Sequence, residues 1–414
     1  MSSLHRTKSL AIVSGPVGKT PADPSYSFVF NEARKLAEKG LEIHIIRQKR
    51  EKMSISCGIR FHGLEKTVDV DIIKSAKLLS NYPPFSLLRN PAVIYWENLY
   101  ALNVARIVEK NNLGLIHAHF AYPEGWAGLL AKKQTGQPLI VTLHGYDVNT
   151  VPEINYGIRL NEKLDLLVRR VLGNADAVVC VNSDLGRKAL DLGTPNKKLF
   201  VVFNGVDLDL FRPLRGAISS EANTVRRLFG ISENDFLILN ARHLRPVYGL
   251  EYLIYAAKVV YSHVRNVKFL IAGDGDQQEK LSQLIKTLGL QETVKLIDYV
   301  PKALMPKLMR ACDLYINTAL SDGMSPSIIE AIASGIPVVG FDIGGARDMV
   351  EDGITGFLVK PKDFETLAFK IIYFLNNPDL MKEIGVKARK KAEREFDINE
   401  RILKILTIYN KVAR

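Results

Sequence analysis

Cysteine is scarce in this sequence: there are three in 414 residues, Cys57, Cys180 and Cys312, far apart and without metal-ligand spacing. That excludes a disulfide framework and a cysteine zinc site, and a reducing cytoplasm is the expected compartment. Long apolar runs are missing too. Nowhere do about 18 apolar residues stand together, so no membrane-spanning helix is expected. The run Leu10–Val13 is too short for the core of a secretory signal. No Pro/Gly/Ser tract reaches the length of extended disorder, and no low-complexity segment or solenoid-length repeat occurs.

What is present is an ordinary globular composition, 47% hydrophobic and 24% charged, in a chain longer than single cores usually grow. Two domains of roughly 200 residues are the default. The formal charge of +12 is uneven: residues 1–213 hold 28 Lys/Arg against 20 Asp/Glu, or +8, and residues 214–414 hold 28 against 24, or +4. A basic first half suits phosphate-bearing ligands, anionic lipid or nucleic acid, and charge alone does not choose among them.

Apolar runs alternate with amphipathic stretches: Leu10–Ser14 then Phe28–Lys39, Glu42–Ile46, Leu113–Ala118 then Gly125–Lys133, Leu139–Leu143, Ala177–Val181 then Asp184–Leu192. This is the rhythm of a parallel sheet wrapped by helices. After the polar stretch Leu214–Asn223 it restarts, with strands expected at Phe236–Asn240, Lys268–Ala272, Val294–Ile297, Leu314–Asn317 and Pro337–Phe341. Gly40 and Gly335 each follow a helical stretch where a left-handed residue would end it.

The segment Ser321–Glu330 carries the chemistry. Ser325 is placed to cap a helix whose first residue is Pro326, where a missing N–H costs nothing. A helix N-terminus leaving the carboxyl end of a strand presents unpaired N–H groups and partial positive charge, which suits a diphosphate. Gly323 lets backbone come close to a ligand. Asp322 and Glu330 bracket the turn, and paired carboxylates suit a hydroxyl-rich ligand.

This run resembles the signature of retaining glycosyltransferases of the GT-B fold, family 4, in which E-G-x-x-x-x-x-x-E is followed by G-x-P-V-V. Here Asp322 and Glu330 flank the motif, and Gly335-Ile-Pro-Val-Val completes it. Four further stretches stand in family order. They are Asn204-Gly-Val-Asp with Phe211-Arg-Pro, Gly273-Asp-Gly-Asp, Gly344-Gly, and Gly353-Ile-Thr-Gly-Phe-Leu-Val. The resemblance implies an α/β fold of two Rossmann-like, doubly wound parallel-sheet domains facing across a cleft. Residues 1–213 would bind the acceptor, 214–395 the nucleotide sugar, and 396–414 would form a helix returning to the first domain.

By that analogy Glu330 holds the donor ribose and Asp322 the transferred sugar, helped by the backbone N–H groups of Gly323, Met324 and Ser325. His144, in Thr142-Leu-His-Gly-Tyr-Asp, faces the transferred sugar, and His119 and Glu124 lie on the acceptor side. The family sets an Arg and, six residues on, a Lys against the diphosphate. Arg242 matches, Tyr248 stands at the Lys position, and Arg245 is the candidate second cation. The implied donor is UDP-hexose or a similar nucleotide sugar. The implied acceptor is a glycan, a lipid-linked sugar or a small molecule. No cofactor, no metal and no nucleic acid are expected, and the enzyme would be cytoplasmic or peripheral at the inner membrane face.

Other readings compete. Ser14-Gly-Pro-Val-Gly-Lys-Thr20 imitates a P-loop, but Val13 stands where that motif needs Gly and Pro16 lacks an N–H. Asp69-Val-Asp71 and Asp207-Leu-Asp209 imitate a metal-binding D-x-D. His117 and His119 share a strand face, with no third ligand visible nearby in sequence. A nucleotide-sugar 2-epimerase of the same fold and a donor-binding protein with weak catalysis also fit. Leu164, Leu167, Val168 and Val171 share a helical face flanked by Lys163, Arg169 and Arg170, a pattern that suits a core-packed helix with solvated cations and also an anionic membrane surface.

Overall fold

The apolar runs become buried strands, and the amphipathic stretches become the helices that cover them. The computed structural model describes residues 8–15, 17–20, 23, 26–64, 82–83, 90–214 and 220–413. The chain divides into two units, Met1–Phe203 with Asn399–Arg414, and Asn204–Ile398.

Among the described residues, the first unit holds β1 (Ser9–Val13), α1 (Ser27–Glu38), β2 (Glu42–Ile46), β3 (Ser54–Ser56), β4 (Ile59–His62) and α2 (Pro91–Lys110). There follow β5 (Ile116–His119), α3 (Trp126–Thr135), β6 (Leu139–Leu143), α4 (Glu162–Asn174), β7 (Ala177–Cys180), α5 (Ser183–Asp191) and β8 (Leu199–Val201). The strand order is β3-β4-β2-β1-β5-β6-β7-β8, parallel throughout except for the β3–β4 hairpin at one edge. Strand β1 is buried on both faces, which is why it reads as a continuous apolar run. Helix α1 buries Val29, Phe30, Ala33 and Leu36, and the chain turns off it at Gly40 with φ +90°.

The second unit holds α6 (Ser220–Leu228), β9 (Phe236–Ala241), α7 (Leu250–His263), β10 (Val267–Ala272), α8 (Gln278–Thr287), β11 (Val294–Ile297) and α9 (Met305–Ala311). Next come β12 (Leu314–Asn317), α10 (Pro326–Ala333), β13 (Val338–Phe341), α11 (Gly344–Met349), β14 (Gly356–Val359), α12 (Phe364–Leu375) and α13 (Pro378–Glu395). Its sheet runs β11-β10-β9-β12-β13-β14, and every pair is parallel.

The last helix, α14 (Ile398–Val412), belongs to the first unit from Asn399 on. Its buried face, Ile402, Ile405, Leu406 and Tyr409, joins one core with Leu10, Ile12, Phe30 and Ile43. The division between units falls before Asn204, ahead of the boundary read from sequence, for a backbone reason. Val206 donates to Phe396 O at 2.8 Å and accepts from Ile398 N at 3.1 Å, which ties that exit segment into the second unit.

Helix α4 decides between two readings of its apolar stripe. Leu167, Val168 and Val171 are fully buried, and Val171 packs within the first unit close to Gly125. The stripe whose pattern suited either a membrane surface or a packed core is core. Among the described residues no helix is long and apolar enough to cross a membrane.

Candidate active site

In each sheet the strand order reverses beside one pair of strands, and ligands of open α/β sheets bind beyond the carboxyl ends of the strands at that point. In the second unit the pair is β9 and β12. Arg242 follows β9, and Asp322 lies just beyond β12. They form an ion pair with Arg242 Nη2 2.7 Å from Asp322 Oδ2, the two side chains 8% and 16% exposed. Burial works against the Arg242 charge, but the Asp322 carboxylate outweighs it and holds the guanidinium above its usual range.

The guanidinium is fixed from two further sides. Its Nη1 bonds Ser325 Oγ, and its Cζ lies 4.2 Å from the centroid of the Tyr248 ring. Tyr248, the residue at the Lys position, therefore forms a cation–π floor for Arg242. Arg245 is exposed, and its side chain bonds none of the described residues.

Ser325 caps α10, accepting from Ile328 N at 3.4 Å, and Pro326 is the first helical residue. Met324 is held by Asn204, whose backbone N–H points at its sulfur and whose side-chain amide donates to its carbonyl. The N–H groups of Met324 and Ser325 have no acceptor among the described residues. Gly345 packs against Gly323: a Cβ there would come within 1.8 Å of the Gly323 carbonyl. The turn is thus built to leave N–H groups open beside a fixed cation, the arrangement that takes up negative charge.

Glu330 lies one turn into α10 and is half-buried. Desolvation pushes its carboxyl up to about 7, with Lys302 pulling the other way. The influence of Lys302 was not legible in sequence, since 28 positions separate the two.

In the first unit the pair is β1 and β5. His119 ends β5 and His144 follows β6, with His119 Nδ1 3.0 Å from His144 Nε2 and the rings stacked. Asp147 pins the loop by accepting from Ala121 N at 2.9 Å and Gly145 N at 3.0 Å. Burial pushes His117 down to about 4, His119 down to about 3 and His144 well below its ordinary value. Glu124 is also buried. Desolvation lifts its carboxyl to about 8, its own and the Gly15 backbone N–H groups opposing and Asp147 adding to the rise. At neutral pH these groups are mostly uncharged, suited to exchanging hydrogen bonds with hydroxyls.

Glu32, on α1, is the third residue of the histidine cluster that the sequence did not reveal. Its Oε1 lies 3.9 Å from His117 Nδ1 and 3.8 Å from His119 Nε2. The set does not suit a metal, because both ring nitrogens of His117 are engaged and a guanidinium sits on the Glu32 carboxylate. His117 bonds the Tyr409 hydroxyl and Thr142 Oγ1, both at 2.7 Å. Arg401 of α14 grips Glu32 Oε2 through Nε at 2.9 Å and Nη2 at 2.6 Å, so an added cation would face a guanidinium.

The competing motifs resolve differently. Lys19 pairs with Glu51 at 3.0 Å, and α1 begins only at Ser27, not at the glycine-rich turn as phosphate cradling requires. Asp207 accepts from Asp209 N and Leu210 N, each at 3.1 Å, and so caps a turn. Pro16 and Asp69 to Asp71 lie outside the described residues.

Comparison with known proteins settles the family. The glycosyltransferase family 4 model matches residues 27–210, and the model for glycosyl transferases group 1 matches residues 222–391. The chain is a family 4 glycosyltransferase. The enzyme is similar to N-acetyl-alpha-D-glucosaminyl L-malate synthase of Bacillus anthracis, 24% identical over 385 residues covering 92% of each chain. In fold it is similar to sucrose-phosphate synthase of Thermosynechococcus elongatus, with TM-score 0.80, 18% identity and 98% of each chain covered. It is also similar to HepE of Anabaena in complex with UDP and glucose, with TM-score 0.74, 20% identity, and 97% of the enzyme and 100% of that chain covered. These likenesses establish the GT-B glycosyltransferase fold of two parallel-sheet α/β domains.

Proposed function

We propose that the enzyme transfers a hexose, with retention, from a nucleotide sugar such as a UDP-hexose to a glycan, lipid-linked or small-molecule acceptor, without a metal or other cofactor. The observation that carries this reading is the Arg242–Asp322 pair beside the open N–H groups of α10, at the switch point of the second sheet. When the bond from the anomeric carbon to the phosphate oxygen breaks, that oxygen takes the electron pair. Arg242, with Arg245 free to swing in, and the helix N-terminus would stabilise the charge. This is the work a divalent cation would otherwise do. The acceptor hydroxyl oxygen bonds to the anomeric carbon, and its proton passes to the released diphosphate.

In this reading Glu330 accepts from the ribose hydroxyls and Asp322 from the transferred sugar. In the first unit His144 meets a sugar hydroxyl, and His119 and Glu124 lie toward the acceptor. The relative from Bacillus anthracis, by its name, joins a glucosaminyl group to malate, and HepE was captured with UDP and glucose. The first name supports a small-molecule acceptor, and the UDP complex supports a nucleotide-sugar donor.

The test begins with thermal shift across nucleotide sugars, because a ligand that binds only the folded state raises its apparent stability. A donor that shifts wild type should fail to shift Glu330→Ala and should not be consumed by it. Full donor use by Glu330→Ala would sink the site assignment. Release of a free, epimerised sugar without acceptor would replace transfer by epimerisation.

A further inference from the structure

The buried cluster of the first unit holds two polar atoms with no hydrogen-bond partner, Glu32 Oε1 and His119 Nε2, and they lie 3.8 Å apart. Their other ends are fixed. Arg401 occupies Glu32 Oε2 with two N–H groups, which leaves Oε1 as the oxygen turned toward the imidazoles. His119 Nδ1 is committed to His144 Nε2 at 3.0 Å.

This chain has a direction. Glu32 is an anion, since two N–H groups of Arg401 bind its carboxylate and, against the cost of burial, hold it below the usual carboxylate range. An anionic oxygen facing a neutral imidazole nitrogen in a buried site favours the hydrogen on that nitrogen. With the hydrogen on His119 Nε2, Nδ1 carries the lone pair. His144 Nε2 must then be the donor of the bond between the two rings. His144 is left with its own lone pair on Nδ1, which bonds none of the described residues, and the residue is only partly buried.

We infer that Glu32, anchored by Arg401 and acting through His119, is a positioning residue that locks His144 as the Nε2–H tautomer, so that its Nδ1 accepts a hydrogen bond from a hydroxyl of the bound sugar. The sugar contact rests on the functional reading given above, whereas the lock stands on the geometry of the first unit alone. The lock explains a costly feature. A buried ion pair gives little net stability and is weak evidence of a purely structural purpose, yet this one sits at the far end of a path to a residue of the candidate site. Neutral imidazoles are needed for the path to carry polarity, and burial keeps them neutral.

The tautomer is read directly by imidazole 15N chemical shifts in protein labelled at histidine, with His119→Ala and His144→Ala used for assignment. Wild type should show His119 and His144 each protonated at Nε2 and unprotonated at Nδ1. In Glu32→Gln the carboxamide oxygen stays on Arg401 and the NH2 takes the place of Oε1, donating to His119 Nε2. The polarity then reverses, and His144 should become the Nδ1–H tautomer. Transfer by Glu32→Gln should fall about tenfold in kcat/KM, the worth of one hydrogen bond to the reacting sugar.

A wild-type His144 protonated at Nδ1, or tautomers unchanged in Glu32→Gln, overturns the lock. Should Glu32→Gln fail to fold, the wild-type spectrum still decides the polarity. His119→Ala, which removes the acceptor, should then leave His144 a mixture of tautomers, and a single tautomer there overturns the relay. Donor use by Glu330→Ala reports separately on the functional reading, because that residue has no part in the path.

Discussion

The two switch points share a topology and differ in electrostatics. In the second unit a guanidinium is held above its usual range by a carboxylate, beside N–H groups without acceptors. In the first, three histidines are held neutral and Glu124 is held protonated through most of the neutral range. The parallel sheet supplies the place, and the residues at the strand ends supply the chemistry. In the proposed reaction, the fixed charge stands where the leaving group becomes an anion, and the neutral groups stand where acceptor hydroxyls bind.

The largest effect that would break this contrast is expected in the first unit. Arg401→Met leaves Glu32 as a buried, unpaired carboxylate, which costs about 3–5 kcal/mol and lowers the unfolding midpoint by roughly 10 °C or more. The double variant Glu32→Met with Arg401→Met should recover most of that loss. A midpoint unchanged in Arg401→Met, measured by calorimetry, would mean the pair contributes nothing. In the second unit Arg242→Gln should lower kcat by about 100- to 1,000-fold, the scale for one preorganised charge-stabilising donor, with a smaller effect on stability. If transfer kinetics barely change, the charge is not stabilised there.

The pH dependence sharpens the comparison further. Glu330 titrates at about 7 in the folded protein, and a ligand whose hydroxyls donate to it requires the carboxylate. Donor affinity should therefore weaken as pH falls below about 7, by up to tenfold per unit, and Glu330→Gln should show no such slope in calorimetric titration. Glu124, raised from 4.5 to about 8, acts on stability in the opposite sense. Its contribution is complete below the unfolded value and is lost as pH rises through about 8, because the unfolded chain ionises first. Glu124→Gln should flatten this decline, raising the midpoint at pH 8 by a few degrees relative to wild type, on the order of 1–2 kcal/mol. An identical pH profile in the two proteins would show that Glu124 ionises normally.

How much of this was legible in sequence follows from what kind of interaction each part uses. Strands β1, β2, β5, β6, β7, β9, β10, β12 and β13 were visible because burial on both faces turns a parallel strand into an apolar run. Gly40 and Gly335 marked helix ends because their backbone is left-handed, at φ +90° and +74°. The hairpin of β3 and β4 was not visible, since its residues alternate at an exposed edge. Helix α2 escaped because its buried residues spread round most of its surface rather than along one stripe. At the site, the capping role of Ser325 was readable because capping is local. Glu32, Arg401 and Tyr409 were not, because they reach His117 and His119 from distant stretches of chain, and no local spacing encodes that. Arg401 and Glu32 stand 369 positions apart.

Tyr248 gives the smallest expected effect and the finest test of the contrast. Its ring lies under Arg242, a contact worth about 0.5–1 kcal/mol. Tyr248→Lys removes that floor and sets a second cation beside the first, so the free protein should lose about 1 kcal/mol, or 2–4 °C. The same cation would add to the field on a diphosphate, so donor affinity should rise a few-fold at low salt and return toward wild type as ions screen it. Isothermal titration at two ionic strengths separates these terms. Abolished donor binding would instead show that the ring itself touches the ligand. In that case the second unit, like the first, would recognise its substrate partly through uncharged groups, and the division of labour between the two switch points would be less sharp than their charges suggest.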